Sequence, residues 1–192
     1  AMGKRFWGGE LAMDFSTFEG KALSSKMAQD RIIANECGIF CIYIFPIYHS
    51  PSTEDHVGDP AIESRIISAV TGKQIDEEDF YQIGERVFNL HRAVLVREGQ
   101  RGRESDKIPE ICHTEPIEFE YANEDILVPG KDGEIISRKG EMLAREDFEK
   151  LKDEFYGLRG WDVATGLQTR AKLRELGLDD VAVELADRGL VV

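Results

Sequence analysis

The sequence predicts a mainly α, multi-helical domain with a small β-hairpin element, and three observations predict it. Phe80, Ile83, Gly84, Val87, His91, Val94 and Leu95 recur at steps of three and four, which lays one apolar stripe along a helix. Phe148, Leu151, Phe155 and Leu158 repeat the pattern further on. Only the stretch around Pro129-Gly130-Lys131-Asp132-Gly133, flanked by Ile126-Leu127-Val128 and Glu134-Ile135-Ile136, has the form of a hairpin. No linker, repeat or low-complexity tract interrupts residues 1–192, so they read as a single domain.

In chain order, residues 1–18 are Gly-rich and aromatic and read as irregular. Helix formers dominate from Glu19 to about Glu36, with Leu23, Met27 and Ala34 near helical spacing. The apolar run Cys37–Tyr48 suits a buried helical turn or a short buried strand equally. Residues 49–60 form a loop holding His49 and His56, for which a plain loop role is expected. Asp59-Pro60 reads as a helix start, with aspartate as cap and proline in the first turn, and Gly72 as its stop. Asp76-Glu77-Glu78-Asp79 opens the next helix, where four carboxylates meet the positive end of the macrodipole. Gly99 and Gly102 end it. Residues 104–144 lack helical periodicity, and helix returns over 145–158. Thr169–Leu176 and Asp180–Arg188, each closed by a glycine, predict two short final helices.

Composition narrows the function classes. The chain is 42% hydrophobic and 32% charged, as a soluble globular protein is. A net charge of −13 would repel a phosphate backbone at long range, so no nucleic acid is expected as a partner. The twelve-residue run Cys37–Tyr48 falls short of the roughly 20 residues that cross a bilayer, so no membrane is expected either and the run should be buried in protein. Three cysteines (Cys37, Cys41, Cys112) are too few for a disulfide framework and suit a reducing, cytoplasmic setting. No charged-then-apolar leader is seen. Ala1-Met2-Gly3 reads as a short extension, or as a start cut from a longer chain. There is no Gly-x-Gly-x-x-Gly, no Walker-type loop, no His-Glu-x-x-His and no Gly-x-Ser-x-Gly, so the common dinucleotide, phosphate, zinc-protease and serine-hydrolase signatures are absent.

Cysteine is the residue type that carries chemistry here. Cys37 and Cys41, four apart, would share a helix face. With Cys112 and His113 they could supply a tetrahedral zinc site, although the spacings fit that pattern poorly; alternatively they are small apolar residues of a buried run.

The longer context adds a resemblance. Phe18-Glu19-Gly20-Lys21-Ala22, Gln29-Asp30-Arg31, Glu36-Cys37-Gly38-Ile39-Phe40-Cys41, Ser68-Ala69-Val70-Thr71-Gly72 and Ile83-Gly84-Glu85-Arg86-Val87-Phe88-Asn89-Leu90 follow one another. Arg97-Glu98-Gly99, Asp106-Lys107-Ile108-Pro109, Tyr156-Gly157-Leu158-Arg159-Gly160-Trp161-Asp162 and Lys172-Leu173-Arg174-Glu175-Leu176-Gly177-Leu178 come after them. In this order, over about residues 8–188, the chain resembles the C-terminal domain of the tungsten-containing aldehyde:ferredoxin oxidoreductase family.

The resemblance implies oxidation of aldehydes to acids by tungsten, or molybdenum, held by two pterin dithiolenes. It also implies a 4Fe–4S cluster that passes electrons to ferredoxin or another iron–sulfur acceptor. The family motif Asp-x-x-Gly-Leu-Cys falls on Glu36 to Cys41. Cys41 then takes the place of a cluster ligand, while Glu36, Ile39 and Phe40 take places beside a pterin. Glu36 is one methylene longer than the family aspartate, and Ile39 stands where the family has glycine. The other three cluster cysteines, in a Cys-x-x-Cys-x-x-x-Cys motif, would lie in N-terminal domains of the same enzyme, so the fragment alone is expected to be apo and inactive. Cys41 should then be partly exposed, within an apolar patch that those domains cover. A cofactor-free docking domain of the same fold is the alternative, motivated by the departures at positions 36 and 39.

Three further expectations follow. Glu85, Arg86, Asn89 and Arg92 form a polar stripe that is either solvated or docked against a neighbouring domain. His91 should be a hydrogen-bonded core histidine. Trp161 with Arg159 should pack the C-terminal helices against the body.

Overall fold

The computed structural model describes residues 1–192 and contains eight α-helices and one two-stranded antiparallel sheet. The helices are α1 (Met2–Phe6), α2 (Lys21–Cys37), α3 (Ile62–Thr71), α4 (Glu77–Arg97), α5 (Ile111–Thr114), α6 (Arg145–Arg159), α7 (Arg170–Glu175) and α8 (Asp179–Asp187). Strands β1 (Leu127–Pro129) and β2 (Ile135–Ser137) pair with Val128 opposite Ile136, as the hairpin pattern predicts. The mainly α expectation therefore holds.

Helix α4 is the organising element. Its start is fixed by a capping box: the Asp79 backbone N–H donates to the Asp76 side chain at 2.9 Å, and the Asp76 N–H donates to the Asp79 side chain at 3.1 Å. Helix α2 crosses it closely at Gly84, where a Cβ atom would stand 1.8 Å from the Asp30 carbonyl oxygen. Helix α6 packs on α2, while α7 and α8 pack together and reach α4. Between them lies the apolar cluster of Ala93, Leu173, Leu178, Ala182, Leu185 and Val191.

The rest of the interior is unusually polar. Arg31 and Glu63, both fully buried, pair at 2.5 Å, and Arg31 also donates to the Pro60 carbonyl and the Tyr81 hydroxyl. Arg159 pairs with Asp30 at 2.5 Å and stacks its guanidinium 4.0 Å from the centre of the Phe88 ring. The Asn89 side-chain oxygen accepts from Trp161 Nε1 and from Gln168 Nε2, each at 2.8 Å. Such groups are tolerated inside because most of their polar atoms find partners, although Arg31 Nε, Glu63 Oε1, Arg159 Nε and Gln168 Oε1 do not.

Several local expectations change. Residues 1–18 contain α1 and a 3-10 turn at Glu10–Met13, both too short to show a helical period. Asp59 does not cap α3; its carboxylate accepts from the Ala61 N–H at 2.9 Å, a turn that holds the chain two residues ahead of the helix. Helix α5 sits within the stretch read as non-helical. On α4 the period is right but the buried face is displaced. Asn89 and Arg92 of the polar stripe are buried against residues of this same chain, whereas His91, Val94 and Leu95 are exposed. His91 is therefore not a core histidine. Trp161 and Arg159 pack the C-terminal segment on α4 and α2, as expected.

Candidate functional site

The candidate site is the loop that leaves α2. The helix ends in a Schellman motif, in which the Ile39 N–H donates to the Glu36 carbonyl and the Phe40 N–H to the Asn35 carbonyl, each at 3.0 Å. That motif needs a left-handed residue at the first position past the cap. Ile39 fills it with φ +58°. The resemblance puts a glycine at this position, and here isoleucine holds the left-handed conformation that glycine favours. Gly38, just before it, leaves room for the Phe40 ring: a Cβ there would lie 2.7 Å from Phe40. Phe40 in turn packs against Phe45, the rings tilted by 47° with centroids 4.9 Å apart. The Cys41 carbonyl accepts from the N–H groups of Ile44 (3.0 Å) and Phe45 (2.8 Å), closing the next turn.

This turn directs a row of side chains outward. Cys41 is exposed, as are Glu36 and Cys37. Ile39 is 92% exposed, Ile42 60%, Tyr43 96% and Ile44 62%. The apolar run is thus not buried within its own chain, and Cys41 lies among exposed apolar side chains. Beside it, Ala34, Ile66, Ile67, Val70 and Ile83 line an apolar cleft of about 310 Å³ that also borders Cys37 and Ile39. Partial burial, reinforced by the Glu36 carboxylate, pushes the Cys37 thiol above its ordinary range.

No three His, Cys, Asp or Glu side chains converge anywhere in the chain. The four-ligand zinc reading of Cys37, Cys41, Cys112 and His113 therefore fails. His113 is engaged elsewhere, with Nδ1 2.7 Å from the Leu143 carbonyl. Three consequences of the fold were missed in the sequence: the left-handed Ile39, the buried Asp30–Arg159 pair, and a cavity beside Trp161. Charged residues at helix positions flanked by apolar ones were the available signal for the second.

The fold and this loop define a class: a helical domain that presents a thiol and an apolar face to its surroundings. A family model for aldehyde ferredoxin oxidoreductase, domains 2 and 3, matches residues 4–178, and the chain belongs to that family. A tungsten-containing aldehyde ferredoxin oxidoreductase of Pyrococcus abyssi is 30% identical over 115 residues, covering 60% of this chain and 16% of the relative. The Pyrococcus horikoshii protein of the same description is 28% identical over 115 residues, with the same shares. Among solved structures, the active site complex BamBC of benzoyl coenzyme A reductase, in complex with 1,5-dienoyl-CoA, aligns with a TM-score of 0.49 at 23% identity. That alignment covers 70% of this chain and 16% of the other. The chain spans about a sixth of the length of these curated relatives.

Proposed function

We propose that residues 1–192 are one domain of a larger aldehyde:ferredoxin oxidoreductase-like enzyme, to which Cys41 gives one cluster thiolate and Glu36, Ile39 and Phe40 give part of a pterin-binding surface. The observation that carries this reading is the exposed Cys41 on a folded loop, inside an apolar patch where no three potential metal ligands come together; the resemblance sets this cysteine on the family motif. That donor set fits a single-ligand contribution and nothing more, since a cubane takes four. When bound, the tungsten or molybdenum pterin would take two electrons from an aldehyde and water as acid and two protons form, and the cluster would pass them on.

This chain's residues would serve that chemistry by position. The Schellman turn fixes the Cys41 backbone. The apolar side chains at 39, 40 and 42 would exclude water from a docked cluster, which lowers the local dielectric and tunes its potential. The exposed Glu36 carboxylate is placed to accept pterin N–H groups. The remaining domains of the enzyme are the immediate partners, and ferredoxin or a similar iron–sulfur protein is the electron acceptor. Three free, exposed cysteines support a reducing cytoplasmic location. No helix is long and apolar enough to cross a membrane.

The test is Cys41→Ala in the full-length enzyme, prepared anaerobically beside Cys37→Ala. Loss of one iron per cluster and a changed electron paramagnetic resonance signal in the first variant alone is the expected result. Unchanged iron content and spectrum in Cys41→Ala would overturn the assignment and favour the cofactor-free docking domain.

A further inference from the structure

A cavity of about 510 Å³ opens between α2, α4 and α6, on residues that the cysteine loop does not include. Half of its lining is apolar, with Phe88, Phe148, Phe155 and Trp161 beside Ile33 and Leu95, and the other half is polar. A second cleft of about 240 Å³ shares Gln29, Phe148, Lys152 and Phe155 with it and continues the space between α2 and α6. This size and lining lie within the range of small-molecule sites.

The polar groups of the cavity select the ligand. Asp106 is its only carboxylate, and that carboxylate is already satisfied: Arg92 donates to both oxygens at 2.7 and 2.6 Å, and the Tyr156 hydroxyl donates at 2.6 Å. Lys152 donates to the Asp106 backbone carbonyl at 3.2 Å and pairs with the exposed Glu149 at 2.8 Å. Lys107, exposed on the lining, enters no ion pair. With Asp106 cancelled by Arg92, the cavity keeps a surplus of positive charge in a chain whose net charge is −13. An aromatic body would stack among the rings, and an anionic head would meet Lys107.

We propose that this cavity binds an aromatic or apolar monocarboxylate, its ring among Phe88, Phe155 and Trp161 and its carboxylate at Lys107. The inference uses neither Cys41 nor any cofactor, so it stands or falls separately from the cluster reading.

The experiment is fluorescence titration of the 192-residue chain carrying Trp7→Phe, which leaves Trp161 as the only tryptophan. The probes are phenylacetate and its neutral isostere phenylacetamide. Saturable change of Trp161 emission with phenylacetate is expected, with a Kd of about 1 mM for so small a ligand. The amide should bind about three- to five-fold more weakly, as loss of one exposed charge pair gives. Lys107→Gln, at an exposed position whose side chain enters no ion pair, should bring the acid down to the level of the amide. No saturable change up to about 20 mM phenylacetate, equal binding of acid and amide, or an unaltered acid affinity in Lys107→Gln would each overturn the proposal.

Discussion

Ile39 holds a backbone conformation that its side chain disfavours. At φ +58° a β-branched residue crowds its own carbonyl, at a cost of roughly 1–2 kcal/mol. Nothing packs on its side chain to repay this, because it is 92% exposed. The conformation is imposed by the two hydrogen bonds that end α2. Ile39→Gly should therefore raise the stability of this chain by about 0.5–1 kcal/mol, the relief of strain exceeding the extra flexibility glycine gives the unfolded state. Urea unfolding reads this as a higher midpoint at an unchanged slope, and a lower midpoint would mean that the turn is unstrained. The substitution at position 39 was legible in the sequence as a departure from a glycine motif. Its consequence was not, because residue types do not report φ; only the paired bonds to Glu36 and Asn35 show that the turn survived.

Among the elements, the sequence blocks that carry the family resemblance prove to be contacts between helices. Gly84 lets α2 approach, Asp30 on α2 pairs with Arg159 at the end of α6, and Asn89 on α4 receives Trp161 just beyond it. Arg86 donates to the carbonyls of Leu176 and Gly177, which ties α4 to the turn between α7 and α8. These blocks fix how the helices cross, and through α2 they fix where the cysteine loop emerges. Gly84→Ala should then cost about 1–3 kcal/mol, because the added methyl group would meet main chain rather than a movable side chain. The readout is the thermal midpoint, and an unchanged midpoint would show that α2 and α4 can separate at no cost. The long helices α4 and α6 were legible from period alone, as was the hairpin from its turn. The buried face of α4 was not, because that helix is covered from more than one side and accepts Asn89 and Arg92 wherever partners await them. Helices of four or five residues such as α1 and α5 carry too little repeat to read.

Over the whole molecule, charge is segregated in a way that composition hides. The chain is acidic by thirteen units, yet Arg31, Arg92 and Arg159 lie in the interior, each beside a carboxylate and an aromatic ring. An acidic surface keeps the molecule dispersed, while the exposed Ile39, Ile42, Tyr43 and Ile44 form an apolar interruption of that surface on the loop after α2. The Arg92–Asp106 pair makes the fold sensitive to acid. Burial alone would raise the Asp106 carboxyl, but the hydrogen bonds from Arg92 and Tyr156 and the charges of Arg92 and Lys152 outweigh it and hold the group below the usual carboxylate range. A carboxyl depressed in the folded state binds fewer protons there than in the unfolded chain. Its stabilisation is thus complete above the unfolded value of about 3.9 and is lost as pH falls through the lower folded value. Asp106→Asn keeps the shape but leaves Arg92 without its counter-charge. It should lower stability at pH 7 by about 2–3 kcal/mol, somewhat less than for a fully buried pair because Asp106 retains some exposure. It should also flatten the fall in stability below about pH 4, where the depressed Asp106 carboxyl is protonated in the parent chain. Urea midpoints of both proteins across that range make the comparison. Parallel curves would show that the bridge from α4 to the loop before α5 contributes none of the acid sensitivity.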